Sequence, residues 1–292
     1  MRPAVILVTF DSGGHVAACL ASLGSAAAQV IVVDNASADD TVARVRTCAP
    51  DAQVIVNRVN RGYGAALNQG VAATDAELVV LANPDLTFGE GALERMAMYM
   101  EGAPRCGLAG PRGSGRGWPG VGLEACELFL GHRVWPGNPV HGRFFEPAAP
   151  AWLVGACLMA RRAALLEVGG FDEDYALYFE EVDLAWRLAR AGWERACVAE
   201  AEVHHAGGGS SAGQGVALED VYRASQRRFF RKAFGEPAAD ALRVVQVAGN
   251  AFRVAWWGAR GMAPARDRAR RALSWFWKSR KIETERLLRG AP

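Results

Sequence analysis

The sequence predicts an α/β fold in which a mostly parallel sheet is flanked by helices and followed by a basic helical extension. Three observations lead to this prediction. Short β-branched runs alternate with alanine-rich stretches of helical length, polar residues cluster where the apolar runs end, and charge is distributed unevenly. Residues 223–292 contain 17 Lys and Arg against 5 Asp and Glu, whereas residues 1–222 contain 16 against 26. We therefore expect an acidic body with a basic tail.

The predicted elements alternate along the first part of the chain. Strands are predicted at Val5–Phe10, Val30–Val33, Val54–Val56, Leu78–Leu81 and Gly107–Ala109, and helices at His15–Leu23, Asp40–Thr47, Gly64–Ala72 and Gly91–Met100. The segment 107–122 is rich in Gly and Pro and is otherwise expected to be a loop. Because open α/β sheets bind ligands beyond the carboxyl ends of their strands, we expect the site at that edge.

After this loop the alternating pattern resumes. A strand at Trp152–Leu158, a helix at about Arg162–Val168, an acidic helix from about Glu180 to Ala191 and a strand near Arg195–Ala199 are predicted. From Val216 onward the pattern is helical, basic and rich in Trp and Phe. The sequence thus predicts a first domain over residues 1–215 and a helical extension over 216–292.

Composition excludes several classes of protein. The chain of 292 residues is 51% hydrophobic and 22% charged, which is enough apolar material for a packed core and excludes a disordered chain. Six cysteines without a CxxC pair exclude an ordinary zinc site and indicate reduced thiols. The apolar run before Asp11 is too short for a secretory signal. The sequence contains no stretch of about 20 uncharged apolar residues, so no membrane span is predicted. We therefore expect a cytoplasmic protein.

Two polar segments that follow predicted strands are candidates for binding a nucleotide. The carboxylate of Asp34, with Asn35 and Ser37 behind it, can accept hydrogen bonds from a ribose or a base; a turn and helix cap is the alternative. The segment NRGYGAALN at 60–68 puts glycines before a helix, where the backbone can approach phosphate, although a plain loop-to-helix junction explains it equally. It has neither GxGxxG nor a Walker lysine, so the dinucleotide and P-loop classes are excluded.

Two further segments are candidates for a metal site. Asp85, in Asn83-Pro84-Asp85, directly follows an apolar strand, where burying an unpaired carboxylate is energetically costly. Binding of a divalent cation would explain an Asp at this position, and a simple turn is the alternative. His204 and His205 precede the segment 206–211, AGGGSS, and a histidine there can bind metal or phosphate. Because neighbouring strand residues point to opposite faces, only one of them is expected to face a ligand. A surface histidine pair is the alternative.

Three carboxylates lie within four residues at the start of the acidic helix. Helical spacing puts Glu180 and Asp183 on one face with Arg187 and turns Glu181 away by about 100°. One carboxylate can pair with Arg187 while another acts as a general base, and crowding of like charge can raise one pKa toward neutrality. Favourable interaction with the helix dipole is the alternative account.

Together, these segments resemble the inverting family 2 glycosyltransferases of GT-A fold. The likeness is strongest to the bacterial rhamnosyltransferase-like branch, which builds surface polysaccharides. It is carried, in order over about residues 3–211, by VTF, VIVVDNAS, NRGYGAALNQG, LANPD, WLVGACLMARR, GGFDEDYALYFEEVDLAWRLARAGW and HHAGGGSS. The resemblance implies a GT-A domain over 1–215, with its nucleotide-binding half at about 1–110 and its acceptor half at about 150–215. The implied reaction moves a sugar, such as L-rhamnose, from a dTDP- or UDP-linked donor to a glycan or lipid-linked glycan.

The resemblance also implies roles for individual residues. Glu181 would be the catalytic base, Asp85 the principal ligand of Mg²⁺ or Mn²⁺, and His205 a contact to the metal or the diphosphate. The nucleotide side would be formed by Thr9, Asp11, Asp34, Asn60, Gly62, Asn68 and Asn83. The donor or acceptor pocket would be formed by Gly155, Ala156, Glu180 and Asp183. Two positions depart from the family pattern, since Asp11 stands where Asn is more usual and Asn83 replaces the first Asp of Asp-x-Asp.

Two other function classes stay open. A nucleotidyltransferase would need a basic triphosphate loop, which the N-terminal region lacks, and a non-catalytic nucleotide-sugar-binding partner of another transferase would not need Glu181. In residues 223–292 aromatic rings are interleaved with Arg and Lys, which predicts docking on an anionic membrane surface at the inner face of the plasma membrane. A bundle packed on the catalytic domain or a homodimer interface is the alternative. Nucleic acid is not an expected partner, because no binding motif accompanies the charge.

Overall fold

The computed structural model of the chain describes residues 1–129, 150–206 and 215–278, and these residues divide into two compact units. The first unit holds residues 1–116, 150–206 and Gly215, and the second holds residues 117–129 and 216–278. The sequence-based division at 215/216 therefore differs from the structure in one respect, because residues 117–129 group with the C-terminal helices.

Strands and helices alternate along most of the chain, as the sequence pattern indicates. In chain order the elements are β1 (Ala4–Thr9), α1 (Val16–Leu23), β2 (Gln29–Asp34), α2 (Thr41–Cys48), β3 (Gln53–Val56), α3 (Tyr63–Ala72), β4 (Leu78–Ala82), β5 (Leu86–Phe88), α4 (Ala92–Gly102), β6 (Cys106–Pro111), β7 (Gly115–Arg116), α5 (Val121–Leu128), β8 (Trp152–Leu153), β9 (Cys157–Arg161), α6 (Arg162–Glu167), α7 (Glu180–Arg190), β10 (Glu194–Val198), β11 (Val203–His205), α8 (Gly215–Phe234), α9 (Glu236–Ala259) and α10 (Ala263–Lys278). Helices α5, α8, α9 and α10 belong to the second unit.

Seven strands form one mixed sheet in the order β10-β6-β9-β4-β1-β2-β3. Its neighbouring strands are parallel except at β9, which runs antiparallel to β4 and β6, so the predicted mostly parallel sheet is confirmed. Both faces are buried: Val5 and Leu7 of β1 pack on the side of α1 and α4, and Ile6 and Val8 pack on the side of α3 and α7. This double burial explains why the strands read as continuous apolar runs.

The segment expected to be an irregular loop, 107–122, is more ordered than its composition suggests. It contains most of β6, all of β7 and the start of α5. Its strand glycines allow close packing, because a Cβ on Gly107 would lie 2.9 Å from the Cβ of Trp193 and one on Gly110 would collide with Ser114. Such glycines cannot be told from loop glycines by composition, since what excludes a Cβ is the folded packing around them, such as that of Trp193 on Gly107.

Two further differences from the predicted elements shape the site. The single strand expected at 152–158 is two strands, β8 and β9, separated by the turn Val154–Ala156. Strands β5 and β11 were not predicted; they pair antiparallel, with His205 opposite Leu86 and His204 opposite Thr87. This pairing brings the end of β11 beside Asp85, although the two segments are far apart in sequence.

The second unit is helical, as predicted for the C-terminal region. The carboxylate of Glu124 on α5 accepts hydrogen bonds from the amides of Gln226 and Gln246, each at 3.1 Å. Leu128 packs closely on α9, where a Cβ on Gly249 would lie 2.5 Å from its own. These contacts explain why α5 belongs to this unit. None of the helices in the described ranges is both long and apolar enough to cross a membrane.

Candidate active site

The candidate site lies in the first unit, beyond the carboxyl ends of β1, β2 and β4. Thr9 and Asp34 end neighbouring parallel strands and are register partners. Asp85 follows β4 by three residues. Helices α3 and α7 also begin at this edge, because α3 follows β3 and α7 immediately precedes the parallel strand β10. The fold thus brings polar strand ends and two helix N-termini together, as expected for a ligand site in an open α/β sheet.

Asp34 is a buried carboxylate held by two hydroxyl groups. Its Oδ1 accepts hydrogen bonds from Thr9 Oγ1 at 2.8 Å and from Ser37 Oγ at 2.5 Å, and its Oδ2 accepts one from the Ser37 backbone N–H at 2.9 Å. A carboxylate has about four acceptor positions, so capacity is left for a ligand donor. Asp34 therefore has a fixed orientation. Ser37, which the sequence motifs did not assign to the site, holds it in place.

Asp11 joins the loop after β1 to the loop after β2. Its backbone N–H donates to Ser37 Oγ at 2.9 Å, and its Oδ1 accepts from the backbone N–H of Ala38 at 2.7 Å. Its φ of 45° lies in the left-handed region, where Asn and Asp are the best tolerated residues after Gly. The exposed Asp11 carboxylate is thus used in part to close the edge of the pocket.

The segment from Asn60 to Gly62 forms the next wall of the pocket. The side chain of Asn60 accepts a hydrogen bond from the Gly62 N–H at 2.9 Å, and the amide of Asn35 donates to the Gly62 carbonyl at 3.1 Å. Gly62 has φ of 90°, and a Cβ there would lie 3.0 Å from the carbonyl oxygen of Ala176. Glycine is required at this position by both its backbone conformation and the close approach of the neighbouring segment.

Asn68 fastens α3 to the turn that leads into α7. Its amide nitrogen donates to the carbonyl oxygen of Phe171 at 2.9 Å, and its amide oxygen accepts from the N–H of Phe171 at 2.8 Å. The same nitrogen lies 3.1 Å from Glu173 Oε1. Its described hydrogen bonds thus shape the wall of the site through this turn.

Asp85 and His205 form the pair expected for a metal site. The Nε2 of His205 lies 3.1 Å from Asp85 Oδ1, with the Asp85 side chain 7% exposed and the His205 side chain 41% exposed. The angles at this contact do not satisfy a hydrogen bond, so Oδ1 is a buried oxygen without a hydrogen-bond donor among the described residues. Ser210, in the segment AGGGSS that follows His205, lies outside the described residues.

The donor set of this pair suits a divalent cation bound together with a phosphate group. Across the described ranges no cluster of three or more His, Cys, Asp or Glu side chains could hold a metal ion. A cation at Asp85 would therefore take most of its oxygen ligands from the nucleotide diphosphate and water, which is usual for Mg²⁺. The backbone N–H of Asn83 donates a hydrogen bond to the carbonyl of Ala156 at 2.9 Å, which holds the turn before β9.

Helix α7 is preceded by two residues in the left-handed backbone conformation, which is unusual for residues other than glycine. Tyr178 and Phe179 both have φ of 67°, and the carbonyl of Phe179 accepts the hydrogen bond of the Asp183 N–H at 2.9 Å. Backbone strain of this kind costs on the order of 1–3 kcal/mol per residue and is concentrated at functional sites. Here it sets the direction in which Glu180 and Glu181 leave the helix N-terminus.

The three carboxylates at the start of α7 have three different environments. Asp183 is fully buried and pairs with Arg187 Nε at 2.7 Å, while Arg187 also donates to the carbonyls of Val168 and Gly170. Asp183 is therefore the structural partner of Arg187. Glu180 is 5% exposed, and its Oε2 has no hydrogen-bond partner within the described part of the chain. Burial, with the charge of Glu181, raises the pKa of Glu180 well above its usual value.

Glu181 is half-buried and lies beside Gly155, where a Cβ on the glycine would be 3.4 Å from Cβ, Cγ and Cδ of the glutamate. Burial raises the pKa of the Glu181 carboxyl to about 7, although nearby backbone N–H groups, including that of Gly155, oppose the shift. Tyr63, to which the sequence motifs gave no role of its own, donates its hydroxyl hydrogen to the Gly155 carbonyl at 3.1 Å. The Glu181 carboxyl thus has a near-neutral pKa and lies beside the Gly155 turn.

The family of the chain follows from comparison with known proteins. The sequence profile described as glycosyl transferase family 2 matches residues 4–168. An N-acetylglucosaminyl-diphospho-decaprenol L-rhamnosyltransferase of Mycobacterium tuberculosis is 35% identical over 230 residues, covering 69% of this chain and 75% of the relative. A pre-mycofactocin glycosyltransferase of the same species is 34% identical over 175 residues, covering 56% of this chain and 34% of the relative.

Solved structures are similar to this chain in fold. A mannosyltransferase from Pyrobaculum calidifontis in complex with GDP-Man and Mn²⁺ has a TM-score of 0.56 at 18% identity, covering 99% of this chain and 79% of its own. Glucosyl-3-phosphoglycerate synthase from M. tuberculosis has a TM-score of 0.53 at 18% identity, covering 80% of each chain. The expected GT-A-like architecture is therefore confirmed. Since the family profile spans more than half of the sequence and the rhamnosyltransferase aligns with over two thirds of it, the chain belongs to glycosyl transferase family 2.

Proposed function

We propose that this glycosyltransferase moves L-rhamnose from dTDP-L-rhamnose to a hydroxyl group of a lipid-linked glycan, with inversion at the anomeric carbon. The choice of sugar and acceptor is supported by the 35% identity to a relative named as an N-acetylglucosaminyl-diphospho-decaprenol L-rhamnosyltransferase. A UDP-linked donor is the competing choice and is decided by the nucleotide panel below.

The proposal is carried by two carboxylates at the same edge of the sheet, Glu181 and Asp85. The buried Oδ1 of Asp85 lies 3.1 Å from His205 Nε2 and has no hydrogen-bond donor among the described residues. Glu181 is half-buried and has its pKa raised to about 7, so near neutral pH it can accept a proton from an acceptor hydroxyl. The deprotonated hydroxyl would attack the anomeric carbon from the side opposite the departing nucleotide diphosphate. A single displacement of this kind inverts the configuration.

The chain's own residues would bind and orient the donor. Asp85 and His205 would hold a divalent cation, Mg²⁺ or Mn²⁺, because a buried oxygen without a donor lies 3.1 Å from an imidazole nitrogen. When bound, such a cation stabilises negative charge on the leaving diphosphate. The nucleotide side would consist of Thr9, Asp11, Asp34, Asn60, Gly62, Asn68 and Asn83. The sugar and acceptor side would consist of Gly155, Ala156, Glu180 and Asp183, of which Asp183 acts through the Arg187 pair.

We further propose that the chain divides functionally at about 215/216. The helices after this point, which lie in the second unit, would dock on an anionic membrane surface at its cytoplasmic side. Arg260 lies over the ring of Trp256 at 3.5 Å, and Arg268, Arg270 and Arg271 are exposed on α10. Cations and aromatic rings on amphipathic helices favour anionic lipid interfaces. A homodimer interface or packing on the catalytic domain would leave vesicle binding weak.

The proposed donor site is tested by thermal unfolding of the full chain with dTDP, UDP, GDP and ADP, each with and without Mn²⁺. A ligand at about 100 times its Kd adds roughly 2.7 kcal/mol, which is several degrees in Tm for a protein of this size. We expect a metal-dependent rise with dTDP that Asp85→Ala abolishes. A rise with UDP alone would change the donor, and no rise with any nucleotide would contradict the donor site.

Transfer itself is tested with dTDP-L-rhamnose and a short-chain GlcNAc-diphospho-polyprenol. We expect a rhamnosylated product from the wild type, with the anomeric configuration opposite to that of the donor, and far less product from Glu181→Gln. A protein that binds dTDP with Mn²⁺ but gives no product with any acceptor would favour the non-catalytic binding partner. Retained configuration in the product would contradict the single-displacement mechanism.

A further inference from the structure

Tyr63 connects the nucleotide side of the site to the catalytic side. It is the first residue of α3, directly after the left-handed Gly62. Its hydroxyl donates a hydrogen bond of 3.1 Å to the carbonyl oxygen of Gly155, 92 residues away in sequence. Gly155 in turn packs along the side chain of Glu181, with 3.4 Å from an added Cβ to three carbons of the glutamate.

We infer that Tyr63 is a positioning residue for sugar transfer: its hydroxyl holds the Gly155 turn against Glu181 and so orients the catalytic base. The inference rests on the proposed function, in which Glu181 is that base. Tyr63 acts through Gly155 and is not itself assigned a contact with the reacting atoms.

The turn at Gly155 needs such support because glycine has more backbone freedom than any other residue. The turn is held at two adjacent carbonyl groups, since Tyr63 donates to Gly155 and the Asn83 N–H donates to Ala156 at 2.9 Å. With its carbonyl oxygen fixed, Gly155 has fewer orientations available, and its N–H stays directed at Glu181. That N–H lowers the pKa of Glu181, against the effect of burial.

Tyr63 is suited to this role because it stays a hydrogen-bond donor. Burial, together with the charges of Glu180 and other neighbouring groups, raises the pKa of Tyr63 well above 10. The titratable groups that bear on Glu181 are Glu180 from its own helix, Tyr63 from α3 and Tyr178 from the segment before α7. The Tyr63 hydroxyl is thus a neutral donor among carboxylates.

The experiment compares Tyr63→Phe, which removes only the hydroxyl group, with the matched control Tyr99→Phe. Tyr99 lies on α4 and is 42% exposed. For Tyr63→Phe we expect kcat to fall about threefold to tenfold, because a neutral hydrogen bond contributes on the order of 1 kcal/mol. The midpoint of the acid limb of kcat against pH should move to higher pH, since a looser Gly155 N–H lowers the pKa of Glu181 less. The donor KM and the Mn²⁺-dependent rise in Tm with nucleotide should stay at the wild-type values.

Three outcomes separate this inference from the function on which it rests. Wild-type kcat and an unchanged pH midpoint in Tyr63→Phe, with an active wild type, overturn the inference alone. A fall in kcat with an unchanged midpoint and a raised donor KM also overturns it, because this pattern indicates a general defect of the site. Absence of transfer by the wild type overturns the proposed function and the inference with it.

A second variant keeps the test decisive if Tyr63→Phe does not fold. Gly155→Ala keeps the Tyr63 hydroxyl and adds a methyl group against the Glu181 side chain. We expect a lower kcat and the same upward shift of the pH midpoint, because the methyl group displaces the turn and removes water from the carboxylate. A wild-type kcat and midpoint for Gly155→Ala would show that the turn does not orient the base.

Discussion

Glu181 combines two properties that a general base requires. Burial raises the pKa of its carboxyl to about 7, and the residue lies at the N-terminus of α7, where the residue as a whole is only partly buried. Glu180, the adjacent residue, is more deeply buried, and Asp183 is committed to Arg187. Of the three neighbouring carboxylates, Glu181 is therefore the one that we propose for proton transfer.

Replacing Glu181 by Gln should lower kcat by about 10²- to 10⁴-fold, the usual contribution of a general base. In the wild type, kcat should rise with pH through about 7, because the base must be deprotonated and its pKa is raised to that value. The measurement is initial-rate kinetics from pH 5.5 to 8.5, with Glu94→Gln on the exposed surface of α4 as control. Full activity of Glu181→Gln would make Glu180 or Asp183 the candidate base.

The burial that raises the pKa of Glu180 should also lower the stability of the folded protein at neutral pH. Because the folded-state pKa of Glu180 is raised above 4.5, the native chain retains a proton that the unfolded chain has already lost. The contribution of Glu180 to the free energy of unfolding should therefore fall as pH rises above about 4.5, the usual pKa of a glutamate. Glu180→Gln should have a higher Tm than the wild type at pH 8 and nearly the same Tm at pH 4.5. Equal differences at both pH values would contradict this account.

At the scale of elements, helix α7 depends on one buried ion pair. The side chains of Asp183 and Arg187 are 0% and 17% exposed, and Arg187 ties α7 to the carbonyls of Val168 and Gly170. This pair holds the N-terminus of α7, and with it Glu181, against the turn that Asn68 fastens. The proposed base therefore lies on a helix whose own anchoring ion pair is buried.

Asp183→Asn should destabilise the first unit by about 3–5 kcal/mol, because it leaves the Arg187 charge buried without its partner. The matched control is Asp40→Asn, which removes an exposed i,i+4 pair with Arg44 whose side chains are 57% and 50% exposed. The control should cost less than about 0.5 kcal/mol. Urea unfolding followed by circular dichroism measures both, and equal losses for the two variants would contradict the structural role of Asp183.

At the scale of the whole molecule, the charge of the chain is divided between the two parts. The basic tail carries 17 Lys and Arg over residues 223–292, and several of them are exposed on α10. An acidic body with a basic C-terminal part suits a transferase whose acceptor is anchored in lipid. On this proposal, the basic C-terminal part would draw the enzyme to an anionic surface.

The full chain should therefore bind vesicles that contain anionic lipid, and more weakly as salt is added. Reversing Arg270 and Arg271 to Glu should lower vesicle binding by more than about tenfold, since each cation contributes about 1 kcal/mol near such a surface. Reversing Arg44 and Arg46 on α2 is the control with equal charge change. Co-sedimentation with anionic and neutral vesicles measures the binding, and equal losses for both double variants would contradict a specific role of α10.

The local sequence determined the order of the main elements, because buried strands and amphipathic helices differ in their pattern of apolar residues. It also determined that polar residues such as Asp34 and Asp85 stand directly after apolar strands. The pattern misread 107–122, where glycines that allow close packing in β6 look the same as loop glycines. It missed β5 and β11 as well, since strands of three residues have too few side chains to show a period.

Only the tertiary structure decided how these residues meet. Pairing of β5 with β11 brings His205, rather than His204, to 3.1 Å from Asp85. Packing of the turn before β9 on α7 places Gly155 beside Glu181. The hydroxyl of Tyr63 reaches Gly155 across 92 residues. Local patterns report whether a side chain is buried, whereas the partner of a buried side chain depends on distant segments that only the folded sheet brings into contact.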